Sequence, residues 1–334
     1  MVHAFEQETG YRANLSVYGS NEEALATVSS QGDGAERYDV VYPSVTSAAH
    51  WMNAGDLLQP LDEDRLPLGN VNRDLLARSA DLGALQNGKR VLMPFNWGTE
   101  AIAYDSSVLR FGPEGPSYAD LWSRDLDQAV VVRARSALMS IGLHLDDTGA
   151  MPSNRMRDAY GPEATAAKVF QGCLDFALAN KCQIKTFWSD AQSIIRAFRL
   201  PGTVIGQVWD GPALRLVTET AGRIRYRMPR EGGLAWMDGM GIPVDAPNID
   251  GAYAWMAFMG RADIAALHVA SSGYNSCIAA AIDHLAEIPR LRYREVYTDE
   301  ALQGLWWWPA GSASYAKLRD QAVVRYMAAP AICT

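Results

Sequence analysis

Residues 204–211 read VIGQVWDG. The run is apolar and β-branched up to Val208, then breaks off in Trp209, Asp210 and Gly211. It predicts a buried strand over Val204 to Trp209 that delivers an aromatic ring and a carboxylate to its C-terminal end, just before a turn. In open α/β sheets, ligands sit beyond the carboxyl ends of strands. A second stretch, Gly232 to Pro243, reads GGLAWMDGMGIP and repeats the pairing with Trp236 and Asp238. A ring face attracts a cation by ~0.5–2 kcal/mol. A carboxylate among Gly, Met and Trp is costly to bury unless an incoming charge pairs with it. Two Trp/Asp pairs at two strand ends make an aromatic and acidic box for an organic cation. The plainer alternative is a Trp in a strand core with a solvated Asp at a turn.

Outward from these strands the chain alternates strand and helix. Ala13 to Tyr18 reads as a strand, and Ser20 with Glu23 has capping-box spacing for the helix that follows. Tyr38 to Tyr42 (YDVVY) reads as a buried strand, and Pro43-Ser44 opens a helix. Glu100 to Tyr104 and Ala129 to Val132 are strands, and a helix begins near Ala134. Ser117 to Trp122 is a short helix. Ser189 with Gln192 caps a helix over Asp190 to Leu200, stopped by Pro201-Gly202. Ile224 to Met228 leads back towards the first lobe. Ile249 to Met259, Ala262 to Ala270 and Ser312 to Tyr326 carry helical apolar stripes. Short strands alternating with helices imply an α/β fold with mostly parallel sheets covered on both faces.

The 334 residues are more than one small domain needs, and suit two lobes with a ligand cleft between them. The expected division is a first lobe of residues 1–104 plus about 238–284, and a second of 105–237 plus about 285–334. Apolar residues make up 49% and charged residues 20%, enough for sizeable cores. The net charge of −8 supplies no basic footprint, which argues against nucleic-acid binding. No apolar run is long enough to span a membrane. The start, MVHAFEQETG, has neither a basic n-region nor an apolar h-region of a secretory signal. Cys173, Cys182, Cys277 and Cys333 lack metal-site spacing. Cys173 and Cys182 could pair in an oxidising compartment, or remain buried thiols.

The ordered set VWDG (208–211), RMPREGGLAWMDGMGIPVDAPNIDGAYAWMAFM (227–259), FEQETGYRANLSVYGSNEEALATV (5–28), YDVVYPSVTSAAHWMNAGDLLQPLD (38–62) and MPFNWGTEAIAYDSS (93–107) resembles the spermidine/putrescine-binding proteins of bacterial ABC transporters. The likeness covers most of the chain in one order. It implies a periplasmic, non-enzymatic, monomeric solute-binding protein of the type II-like periplasmic fold. Such a protein closes on its ligand and serves a membrane permease and its ATPase, without cofactor or metal. The resemblance places Trp236, Asp238, Trp209 and Asp210 in a cation box, with Ser44, Thr46 and Thr99 as polar contacts. Ser44 could equally be a plain helix cap. Family members begin with a strand before the first helix, so Met1 is expected to fall inside that helix, with a strand missing ahead of it.

Three departures concern the ligand. Where polyamine binders carry acidic residues, this chain has Arg133 and Ser136. A cation there repels a diamine and suits a carboxylate or phosphonate, unless Arg133 is solvated or structurally paired. Thr46 replaces an aromatic, and Trp307, within Trp306-Trp307-Trp308, stands near an expected Gln. Three adjacent Trp cannot all face one core, so at least one should reach a cleft or a partner surface. Glu100 is either a hinge salt-bridge residue, the favoured reading, or a substitute carboxylate for the amine. The expected ligand is a polyamine; the alternative is a zwitterionic amine such as an amino acid, opine or aminophosphonate. An enzyme on this fold has little support: there is no G-x-S-x-G, H-E-x-x-H or phosphate loop, and the five histidines are scattered. A receptor-linked sensor is a third reading that the residues do not separate from transport.

Overall fold

The computed structural model describes residues 1–18, 21–30 and 37–331. Its elements begin with α1 (Val2–Thr9), α2 (Asn21–Ser29), α3 (Ala48–Asn53), α4 (Arg73–Ser79), β1 (Leu85–Gln86), β2 (Lys89–Arg90) and β3 (Met93–Asp105). They continue with β4 (Val130–Val132), α5 (Ala134–Asp147), α6 (Glu163–Ala179), β5 (Ile184–Phe187), α7 (Ala191–Phe198), β6 (Ile205–Trp209), α8 (Asp210–Glu219) and β7 (Ile224–Arg227). The last are β8 (Leu234–Met240), α9 (Ile249–Met259), α10 (Ala262–Ser272), β9 (Asn275–Ser276), α11 (Glu287–Val296), α12 (Asp299–Gln303), β10 (Trp306–Trp307) and α13 (Ala313–Ala328). The chain forms two compact units: unit 1 is Met1–Gly98, Trp236–Leu291 and Trp308–Ala310, and unit 2 is Thr99–Ala235, Arg292–Trp307 and Gly311–Thr334.

In unit 1 the start of β3 pairs antiparallel with β9, with Asn96 opposite Ser276 and Trp97 opposite Asn275. Single antiparallel bridges tie Val41 to Gly241, Ser44 to Asp238 and Leu58 to Pro243. Trp51, Leu58, Leu92, Met93, Met240 and Met256 fill the core. Phe5 anchors α1 edge-on against Trp255 and Phe258 of α9.

In unit 2, β5, β4 and β6 run parallel. The remainder of β3 lies antiparallel to β6, with Glu100 opposite Trp209 and Tyr104 opposite Ile205. All of β3 is buried, as expected for a strand covered on both faces. The sheet is therefore mixed, parallel at β5-β4-β6 and antiparallel at β3. Gly206 permits the close approach of β6 to β4: a Cβ there would lie 2.6 Å from the Val131 carbonyl oxygen. Helices α5, α6 and α13 pack together on this unit.

Several local expectations are corrected. Residues 13–18 form no strand; Leu15 and Val17 are 64% and 95% exposed, and an alternating pattern without a neighbouring edge makes no ladder. YDVVY contributes one bridge, at Val41, not a strand. The α7 cap is Asp190 with Ser193, not Ser189 with Gln192. The cap expected at Ser20 lies outside the described residues. Cys173 is a free buried thiol and Cys182 is disulfide-bonded, so the Cys173–Cys182 bridge does not form. Cys333 lies outside the described residues.

Candidate functional site

In unit 1, β8 places Trp236 and Asp238 two residues apart, hence on one face of the strand. Both are half-buried, while Met237 between them points into the core. Gly239 lets β8 press against the start of β3, since a Cβ there would sit 3.1 Å from the Met93 carbonyl oxygen. Ser44 arrives by its bridge to Asp238. Its hydroxyl donates to Asp238 Oδ1 at 2.8 Å, and it caps no helix with its side chain. Asn21 positions Ser44 from both sides: Asn21 Oδ1 accepts the Ser44 N–H at 2.7 Å and Asn21 Nδ2 donates to Ser44 Oγ at 3.2 Å. Tyr274 meets the Trp236 ring edge-on, centroids 5.0 Å apart. Thr46 is half-buried in the turn Val45–Ser47.

Burial pushes the Asp238 carboxyl up to about 6, against the opposing pull of the Ser44 hydrogen bond. The Tyr18 hydroxyl and the Cys277 thiol are near enough to feel its charge: burial raises both, and Asp238 raises them further. Asp238 thus carries a charge that the surrounding apolar groups do not compensate. The Trp236 indole N–H is buried and makes no hydrogen bond among the described residues. A carboxylate beside aromatic faces, with one hydroxyl donor, suits an ammonium group.

Unit 2 treats its predicted residues differently. Asp210 is fully buried and accepts from the Thr99 N–H at 3.0 Å, the Tyr297 hydroxyl at 2.5 Å and the Gly211 N–H at 2.9 Å. Burial nonetheless pushes it up to about 7. The Thr99 hydroxyl lies 2.9 Å from both Tyr226 and Tyr297 hydroxyls, so its bonding capacity is spent inside the fold. Trp209, by contrast, is half-buried at the end of β6. Its ring meets Trp188 at 4.8 Å, and the Arg133 guanidinium lies over both rings. Ser136 is buried in the first turn of α5.

Glu100 faces the charge of Arg133 and takes side-chain hydrogen bonds from Ser136 and Trp209. It is buried, and burial pushes it up to about 7 while the positive charge of Arg133 pulls it down. Trp306 and Trp307 are buried in β10, beside Leu234 and Ala235 of β8, and Trp308 is half-buried. The residues that sequence reasoning missed are Asn21, Tyr18 and Tyr274 in unit 1 and Trp188 and Tyr297 in unit 2.

A family model described as bacterial extracellular solute-binding protein matches residues 1–290. The chain belongs to that family. This solute-binding protein is 30% identical over 295 residues to the putrescine/agmatine-binding protein of Pseudomonas aeruginosa, covering 84% of this chain and 75% of that one. It is 27% identical over 278 residues to the spermidine/putrescine-binding periplasmic protein of Escherichia coli, covering 82% and 72%. Its fold matches the PotD substrate-binding protein of Streptococcus pneumoniae with TM-score 0.76 at 22% identity, over 98% and 94% of the two chains. It also matches the TpPotD lipoprotein of Treponema pallidum, TM-score 0.75 at 19% identity, over 97% and 94%. Among the described residues of the solute-binding protein, no helix is long and apolar enough to cross a membrane.

Proposed function

We propose that this chain is the substrate-binding component of an ABC importer for an aliphatic amine of the polyamine class, such as putrescine, and that Asp238 receives a ligand ammonium. The observation that carries this reading is the Asp238 carboxylate: burial holds it up to about 6 with one hydroxyl donor beside it. An ammonium would supply the missing countercharge. Trp236 and Tyr274 offer ring surface beside it, and Ser44 fixes its orientation. The names of the Pseudomonas and Escherichia relatives support the ligand class.

In this reading the protein works in the periplasm as a monomer without cofactor, performs no chemistry on its ligand, and hands it to a permease driven by an ATPase. Thr99 and Asp210 support the fold of unit 2 rather than the ligand, because their polar atoms are already bonded. A second reading, an amine with only one cationic end, is favoured by Arg133 at the Trp209 strand end. Calorimetric titration of putrescine into the wild type and Asp238→Asn tests the proposal. Binding that is lost in the variant supports it; equal affinity in both removes Asp238 from the site.

A further inference from the structure

Unit 2 carries a second aromatic and acidic set at the end of β6, and a cation from the chain itself stands in it. Trp188 and Trp209 meet edge to face, with ring centroids 4.8 Å apart at 67°. The Trp188 indole is held by donating to the Gln207 carbonyl oxygen at 2.8 Å. Gln207 in turn donates to the Ser136 carbonyl oxygen at 3.3 Å and accepts from the Ser140 hydroxyl at 2.7 Å. The rings are therefore built into the unit rather than lying loose on it. Into this corner α5 delivers Arg133, its N-cap residue. The guanidinium carbon lies 5.1 Å from the Trp209 ring centre and 5.5 Å from that of Trp188, within cation–π range of both.

A carboxylate completes the set. Glu100 is the register partner of Trp209 across β3 and β6, and directly opposed residues of an antiparallel pair share a face. Glu100 is 2% exposed, and its Oε1 makes no hydrogen bond among the described residues. The charge of Arg133 favours its ionised form, as do a hydrogen bond from Ser136, the charge of Arg135 and a hydrogen bond from Trp209. Two aromatic rings and a carboxylate are also what Trp236, Tyr274 and Asp238 present in unit 1.

We propose that Arg133 is a tethered occupant of this second box, standing where a ligand ammonium would otherwise be held, and is thereby a specificity-determining residue. The consequence is that this second set is closed to a free ammonium. The protein should then gain little from a diamine over the matching monoamine. That selectivity consequence rests on the proposed function; the occupancy of the box does not.

The test removes the tethered cation and offers a free one. Methylguanidinium chloride at millimolar concentration is titrated into wild type, Arg133→Ala and Arg133→Lys, read by tryptophan fluorescence and melting temperature. Arg133→Met, which keeps the apolar stem, replaces the alanine variant if that fails to fold. Arg133→Ala should respond saturably and roughly tenfold more strongly than wild type, Arg133→Lys should behave as wild type, and Trp209→Leu added to Arg133→Ala should abolish the response. Equal responses in wild type and a folded Arg133→Ala or Arg133→Met would overturn the proposal. In a second arm, the affinity ratio of putrescine to 1-aminobutane should rise roughly tenfold in Arg133→Ala. Loss of γ-aminobutyrate binding in that variant, without methylguanidinium response, would assign Arg133 to an anionic ligand group instead and overturn the proposal. A wild type that binds no amine refutes the proposed function while leaving the methylguanidinium result to judge the box by itself.

Discussion

Replacing Asp238 by Asn should make the ligand-free protein more stable while destroying amine binding. The carboxyl is raised from 3.8 to about 6 in the folded protein, chiefly by burial. At ~1.4 kcal/mol per pK unit, keeping it ionised at neutral pH costs the fold at most ~3 kcal/mol. Asp238 is half-buried rather than sealed, and solvent screening trims that to ~1–2 kcal/mol. The sign follows from linkage. A carboxyl with a raised folded pKa holds its proton more tightly in the fold than in the unfolded chain. Wild-type stability from this site is therefore highest below pH 3.8 and declines through about 6. Asn cannot ionise, yet its oxygen can still accept from the Ser44 hydroxyl. Glu100 and Asp210 are also raised by burial, but they contribute to both proteins and cancel in the difference. Calorimetric melting of wild type and variant from pH 4 to 8 should show the two converging at pH 4. By pH 7.5 the variant should lead by ~1–2 kcal/mol. Titration at pH 7.5 should show amine affinity falling by ~2–5 kcal/mol, the cost of leaving a charge without its partner. A variant less stable than wild type at pH 7.5, or one that binds putrescine unchanged, would refute the assignment of Asp238 as an uncompensated ligand carboxylate.

Trp236→Ala should weaken putrescine by ~1–2 kcal/mol through loss of a ring face; calorimetric affinity within twofold of wild type contradicts that contact. Asp210→Ala leaves the Thr99 and Gly211 N–H groups and the Tyr297 hydroxyl without their acceptor, and should cost ~2–4 kcal/mol in urea unfolding. An unchanged midpoint would show that Asp210 does not brace unit 2. Gly206→Ala drives a Cβ to 2.6 Å from the Val131 carbonyl oxygen and should lose ~1–3 kcal/mol, read in the same assay. Burial pushes the Cys173 thiol up to about 12, so iodoacetamide at pH 8 should label it only after denaturation; rapid labelling of native protein would place that thiol at the surface.

The elements that were legible in the sequence are those whose apolar pattern determines their own environment. β6 reads as a strand because its apolar, β-branched residues are buried on both sides of the pleat, and α9 and α13 declare themselves by periodicity. Residues 13–18 have the same alternation as a strand, but pairing is a property of two segments, and no described segment offers them an edge. The caps show the same limit: Asp190 and Ser189 are adjacent candidates, and only backbone geometry selects Asp190. At the candidate site, residue type alone singled out Trp236 and Asp238, since a carboxylate in an apolar run is costly, whereas Ser44 came from the family resemblance. Asn21 and Tyr274 stayed hidden because their roles come from packing against residues remote in the chain. Thr99 and Asp210 looked available for a ligand for the same reason: nothing near them in sequence announces Tyr297, whose hydroxyl engages both.

The most direct test of amine recognition is a thermal-shift screen of the wild-type protein at pH 7.5. Polyamines and simple amines are set against amino acids, opines and aminophosphonates, and against matched acids without nitrogen. A ligand that binds only the folded state raises the melting temperature by mass action. Saturable stabilisation by compounds with a free ammonium, putrescine among them, is the expected result. Stabilisation confined to anions that carry no ammonium would contradict it.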